Sequence, residues 1–204
     1  MKATARLVLL LLLALPAVLQ ADSYQAPYYY TTNNGTITIT GHTGTNSVAV
    51  IPDTINGLPV AGIGDDAFWL CTSLTSVTIP NGVTSIKDRA FAYCTSLTNV
   101  AISINVTNIG VSAFFLCTSL THVMIPHRVT GIKNKAFCRC TSLMGIYFKG
   151  DAPSLGASAF DGDKKVTVHY LPGTTGWGKT FGGRPTALWN PEVQGNAASG
   201  VRAK

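Results

Sequence analysis

The chain has 204 residues, 46% of them hydrophobic and only 12% charged, with a formal net charge of +6. That supply of Ile, Val, Leu and Phe excludes a disordered chain and suffices for one domain with a continuous core. A basic excess without an aromatic–basic groove motif argues against nucleic acid as a partner.

Lys2 and Arg6 precede an unbroken apolar run, Leu7 to Leu15, followed by Pro16 and small residues up to Ala21. A short apolar stretch behind positive charge reads as a secretory signal, since a membrane span needs about 20 apolar residues. Residues 1–21 are therefore expected to be removed on export, after Ala21. No second apolar run follows, so no membrane span is expected in the mature chain. Loss of Lys2 and Arg6 leaves 13 of the 15 basic residues against 9 acidic ones. The excess is uneven: two basic and five acidic residues lie between Asp22 and Leu120, eleven basic and four acidic from Thr121 onward. The basic half suits an anionic partner, or simply keeps loops soluble.

Residues 22–47 read as an N-terminal β-hairpin cap. Two β-prone runs, Tyr28–Thr32 and Thr36–Thr40, flank Asn33, Asn34 and Gly35, and Asn-Gly is the strongest short hairpin signal. From residue 48 to 170 the chain repeats itself. Cys71, Cys94, Cys117 and Cys140 are 23 residues apart, inside the unit A-F-x-x-C-T-S-L-x-x-V-x-I-P-x-x-V-T-x-I. Phe68, Phe91, Phe114 and Phe137 keep the same step, and Ala159-Phe160 repeats it once more. A fixed period in the twenties, with aliphatics at constant offsets, marks a solenoid in which each turn of chain stacks on the last.

Within one unit, Val77 and Ile79 alternate with Ser76 and Thr78, the period of a strand with one buried face. Pro80, Asn81 and Gly82 end it, Val83 and Ile86 supply a second extended edge, and Ala90–Cys94 is expected to be a compact helical turn. Stacking then makes columns: Val77, Val100, Val123 and Ile146; Ile79, Ile102, Ile125 and Phe148; Ile63, Ile86, Ile109 and Ile132. Ile51 to Val60 is five residues longer than the matching Ile79 to Val83, so the first turn carries an inserted loop. Val166, Val168 and Tyr170 give a last strand. Residues 171–189, Gly-rich with anchoring aromatics, read as a C-terminal cap. Residues 190–204 are polar and aperiodic and are expected to form a mobile tail.

The A-F-x-x-C-T-S-L-T-x-V-x-I-P pattern resembles the BspA-type class of bacterial leucine-rich repeats, over about Val48 to Tyr170. Ser103, in place of the proline of Pro80 and Pro126, and Asp163, where the next Cys would fall, depart from it. The resemblance implies a β-dominated α/β leucine-rich repeat solenoid, a parallel sheet of short stacked strands with short helical turns. It also implies an exported or cell-surface protein that binds or adheres to other proteins, and no catalytic activity.

The four in-register cysteines admit a packing column, disulfides between neighbouring turns, or a metal site. Free Cys is small and commonly buried, which favours packing. Export keeps the disulfide reading open. No C-x-x-C pair and no nearby His supports zinc. Cys138 breaks the register and is expected to be partly exposed. His42, His122, His127 and His169 fall at unrelated repeat positions, outside any H-E-x-x-H, nucleophile or paired-carboxylate motif, so neither an enzyme nor a cofactor or metal is expected.

The outward residues of the strand sheet vary while their scaffold does not: Ser76 and Thr78, Asn99 and Ala101, His122 and Met124, Gly145 and Tyr147. Solenoids bind on such faces. The candidate binding residues are Ser76, Thr78, Asn99, Ala101, His122, Met124 and Tyr147, with His122, Met124 and Tyr147 as the adhesive end. The expected function is an exported, non-catalytic module that recognises a protein, an envelope polymer or a host surface. The alternative is a structural spacer in a longer multi-module protein.

Overall fold

The structure, a computed structural model, describes residues 23–25 and 27–191. The expected leader, residues 1–21, lies outside them, as does the tail from residue 192 onward. At the front, β1 (Ser23–Gln25), β2 (Tyr28–Asn33) and β3 (Thr36–His42) form an antiparallel meander. Asn34 and Gly35 take φ of 48° and 73°, as a two-residue hairpin turn requires. After β4 (Val48–Val50), the insertion proves to be a second small hairpin, β5 (Thr54–Ile55) with β6 (Leu58–Ile63). Its turn, Asn56 and Gly57, repeats the Asn-Gly device at φ 50° and 77°.

Thereafter each turn of chain supplies two short strands: β7 (Ser76–Thr78) and β8 (Ser85–Ile86), then β9 (Asn99–Ala101) and β10 (Asn108–Ile109). The next turns add β11 (His122–Ile125) with β12 (Gly131–Ile132), and β13 (Gly145–Phe148) with β14 (Ser154–Leu155). Three strands close the fold: β15 (Thr167–Tyr170), β16 (Thr180–Phe181) and β17 (Arg184–Leu188). One wall runs β1-β2-β3-β6-β8-β10-β12-β14, parallel from β3 onward. The opposite wall is two sheets, β4-β7-β9 and β11-β13-β15-β17-β16, whose ladder is interrupted between β9 and β11. The interruption comes where Ser103 replaces the repeat's proline. The Ser103 hydroxyl is buried and accepts the Asn105 amide at 3.2 Å.

The core lies between the walls as the expected columns. Ile63, Ile86, Ile109 and Ile132 pair in register and are all but fully buried, as are Val77, Val100, Val123 and Ile146. Ile102 is only half-buried, beside the interruption. The phenylalanines stack ring on ring: centroids are 4.9 Å apart from Phe68 to Phe91, 5.3 Å to Phe114, 5.1 Å to Phe137 and 6.0 Å to Phe160. His42 covers the front of this column, 5.0 Å from Phe68, and Phe181 packs at its back.

The compact turn before each cysteine is not helical. Two residues per turn hold a left-handed conformation at the same 23-residue step: Asp66, Arg89, Ser112, Lys135 and Ser158, then Leu70, Tyr93, Leu116, Arg139 and Gly162, with φ between 53° and 85°. A helix cannot accommodate that alternation. Alternate amides turn to the next rung, as Phe68 N to Ala90 O at 2.7 Å and Phe91 N to Ala113 O at 2.8 Å, while those between close short bonds within the turn, as Ala92 N to Arg89 O at 2.9 Å and Cys94 N to Phe91 O at 3.3 Å.

The cysteines are free thiols. Cys94 donates to Phe68 O, Cys117 to Phe91 O and Cys140 to Phe114 O, each at 3.1 Å, so one bond pattern repeats up the stack. Burial raises all three thiols, that of Cys117 to about 12, and this keeps them protonated and able to donate. Cys71 is half-buried, its sulfur 3.9 Å from His42 Nδ1. Cys138, expected to be partly exposed, is 5% exposed: the rungs on either side cover a side chain too short to reach beyond them.

Candidate functional site

The strand pairings fix which side chains share the outer face of the interrupted wall. Val48, Ser76 and Asn99 form one row and Val50, Thr78 and Ala101 the next. Beyond the interruption, His122, Gly145 and Thr167 continue one row, and Met124, Tyr147, His169 and Ala187 the other. Every expected binding residue therefore lies on this face. Ser76 and Thr78 with Asn99 and Ala101 share one sheet; His122, Met124 and Tyr147 share the other. The single continuous sheet assumed from the sequence is replaced by two sheets meeting at a seam.

At that seam is a shallow depression of about 270 Å³ lined by Asn99, Val100, His122, Val123, Met124, Tyr147 and Trp189. Tyr147 is its centre. Its ring stacks on His169, 4.5 Å between centroids and 9° between planes, and meets Trp189 edge-on at 5.0 Å. His122 tilts against the other side at 6.0 Å. Gly145 makes this possible, for a Cβ there would meet Tyr147 Cε2 at 2.7 Å and its hydroxyl at 2.9 Å. The Trp189 amide donates to Tyr170 O at 2.9 Å, which pins the end of β17 beside the ring. Burial lowers the His169 pKa, and the neighbouring His122 lowers it further.

Val48, Val50, His169 and Trp189 belong to the face and were not among the expected residues. The alternation of Val166, Val168 and Tyr170 already places His169 outward, and His122 and His169 are neighbours on one face rather than unrelated. Val48 and Val50 were hidden by the inserted hairpin, which puts β4 28 positions before β7 instead of 23. Trp189 follows an aperiodic segment and carries no repeat signal.

No Lys, Arg, Asp or Glu occurs among the thirteen paired outward residues from Val48 to Ala187; exposed Lys149 borders them, in the row that Trp189 ends. The turn side differs. There Trp69, 49% exposed, meets Tyr93 edge-on at 6.5 Å beside the bidentate Asp66–Arg89 ion pair, so its apolar surface is mixed with charge. Among the described residues, no group of three or more His, Cys, Asp or Glu is placed to hold a metal ion, and no helix is long and apolar enough to cross a membrane.

Two walls of short parallel strands, closed by tight turns around aliphatic and phenylalanine columns, define a leucine-rich repeat solenoid. The model of the BspA-type leucine-rich repeat region matches residues 55–176 in six copies, and the chain belongs to that family. Solved structures agree. A leucine-rich repeat protein of T. pallidum is 27% identical, with a TM-score of 0.68 over 73% of this chain and 71% of that one. A leucine-rich cell surface protein of Faecalibacterium prausnitzii is 30% identical, with a TM-score of 0.65 over 74% of this chain and 45% of that one, so the present chain spans under half of its length. A leucine-rich repeat protein of Bacteroides capillosus is 32% identical, with a TM-score of 0.58 over 63% of this chain and 99% of that one. No curated protein matches.

Proposed function

We propose that this chain is an exported binding module that recognises a protein partner at the cell exterior through its uncharged wall, with Tyr147 as the central anchor. One observation carries the reading. In a chain with 24 charged residues, a surface of thirteen paired outward positions has none, and it gathers Tyr147, Met124 and two histidines at one end, with Trp189 beside them. Protein interfaces are depleted of charge at their centres and enriched in aromatics and Met. The depression is shallow and smaller than the usual small-molecule pocket of roughly 300–1,000 Å³, but it has room for an anchoring side chain. Likeness to a bacterial cell surface protein and the signal-like leader support the exterior location. Ser76, Thr78, Asn99 and Ala101 extend the contact toward the front, where Val48 and Val50 complete it.

The test is capture of envelope and host-matrix proteins on the immobilised mature domain. Affinity for each captured protein is then compared between the native chain and a Tyr147→Ser/Met124→Ser variant. Loss of binding supports the site, and unchanged binding rejects it. An uncharged interface also keeps its affinity between low and 0.5 M salt, whereas binding through the basic half weakens steeply.

A further inference from the structure

The thiol ladder stops one rung early. Asp163 occupies the next cysteine position, 23 residues after Cys140, in the turn just before β15. It is 1% exposed, and neither of its carboxyl oxygens has a hydrogen-bond partner. Its surroundings match those of the thiols. The Cys140 amide lies near it and favours the ionised form, as the Cys71, Cys94 and Cys117 amides do at the sulfurs of Cys94, Cys117 and Cys140.

Each thiol donates to the carbonyl 26 residues earlier, and for position 163 that carbonyl is Phe137 O. Phe68 O, Phe91 O and Phe114 O each accept one amide and one thiol. Phe137 O accepts the Cys140 amide and, among the described residues, no side-chain donor. A carboxylate has no proton to offer it; a neutral carboxyl does.

We propose that Asp163 is a proton-operated latch on the C-terminal end of the solenoid: as a neutral acid it continues the thiol ladder by donating to Phe137 O, and its ionisation loosens the covering strand β17. The charged groups facing it are few. Arg184 on β17 favours the carboxylate, but its Nε is itself buried without a partner, so the two do not form a closed ion pair. Asp161 in the same turn favours the neutral acid, and Cys140 and Cys138 of the preceding rung are uncharged. Burial is the largest influence, and the balance raises the carboxyl to about 7 from its usual 3.8.

The sign follows from proton linkage. Between those two values the closed state holds a proton that the opened state releases, so closure weakens as pH rises through this range and levels off above about 7. The ion must then be hydrated, and β17, which brings Arg184 to Asp163, is the strand expected to lift.

Amide hydrogen exchange of the peptide covering β17, corrected for its intrinsic pH dependence, tests this on the mature chain between pH 5 and pH 8. The native chain is expected to show opening that rises about 10- to 100-fold across the range. Asp163→Asn keeps a neutral donor and Asp163→Cys restores the repeat's own residue; both are expected to give a flat profile. His169 on β15 also neighbours β17 but is common to all three proteins, so differences between profiles isolate Asp163. A flat profile in the native chain, or the same rise in both variants, overturns the proposal.

Discussion

The Tyr147 ring lies face to face on His169, and Gly145 leaves the space into which the ring folds. If Tyr147 anchors a partner as proposed, a side chain at position 145 would act on that anchor indirectly, by moving the ring. Gly145→Ala is expected to push the ring off its seat and to weaken partner binding while leaving the melting temperature nearly unchanged. Trp189→Ala removes the edge-on ring and is expected to weaken binding by about 1–3 kcal/mol, the range of an interface anchor. Isothermal titration with a captured partner reads both. Native affinity in both variants would dissociate the cluster from recognition.

Acid should turn the site off. His169 is held neutral below the ordinary imidazole range by burial and by His122, so at pH 7 the face carries no charge there. A folded pKa below the unfolded value means that the associated stability is present above about 6.5 and is lost as pH falls through the folded value. A partner that covers the ring desolvates it further and favours the neutral imidazole again, so partner affinity is expected to fall between pH 7 and pH 5, and His169→Phe to reduce that dependence. Equal affinities at both pH values would show that charge on this ring does not matter.

Phe114 is fully buried between Phe91 and Phe137, with rings on both faces. Phe114→Ala leaves a hole that neighbouring rungs cannot close without breaking register, so a loss of about 3–5 kcal/mol is expected in denaturant unfolding. A loss below 1 kcal/mol would mean that the stack does not depend on its neighbours as a solenoid should.

Cys94, Cys117 and Cys140 should resist a thiol reagent in the native protein at pH 8, since the thiolate is the reactive form and burial suppresses it. Cys138 should resist as well, being covered, and Cys71 should react slowly. All five should label in 6 M guanidinium. Rapid native labelling of Cys117 would contradict the ladder.

Much of this architecture could be read from the chain. A 23-residue step in Phe, Cys, Leu and Ile already dictates stacked rungs, because equal path lengths are what bring equivalent residues into columns. The alternation around Val77, Val100 and Val123 names both the buried residues and the outward ones. The helical reading of the turns failed for a local reason. Arg89 and Tyr93 carry no mark of their left-handed backbone, which arises because the Phe91 amide bonds to the next rung rather than within its own turn.

What the amino-acid order determined by itself is therefore everything that repeats: the period, the core columns, the alignment of the cysteines and the outward rows. The tertiary structure decided what happens where the period fails. It set the seam beside Ser103, returned Val48 and Val50 to the face across an insertion, brought Trp189 to Tyr147, and buried Asp163 without a partner. Periodic positions meet their own equivalents and so can be paired from spacing alone. Positions outside the period meet unlike neighbours, and only the path of the chain in space says which ones.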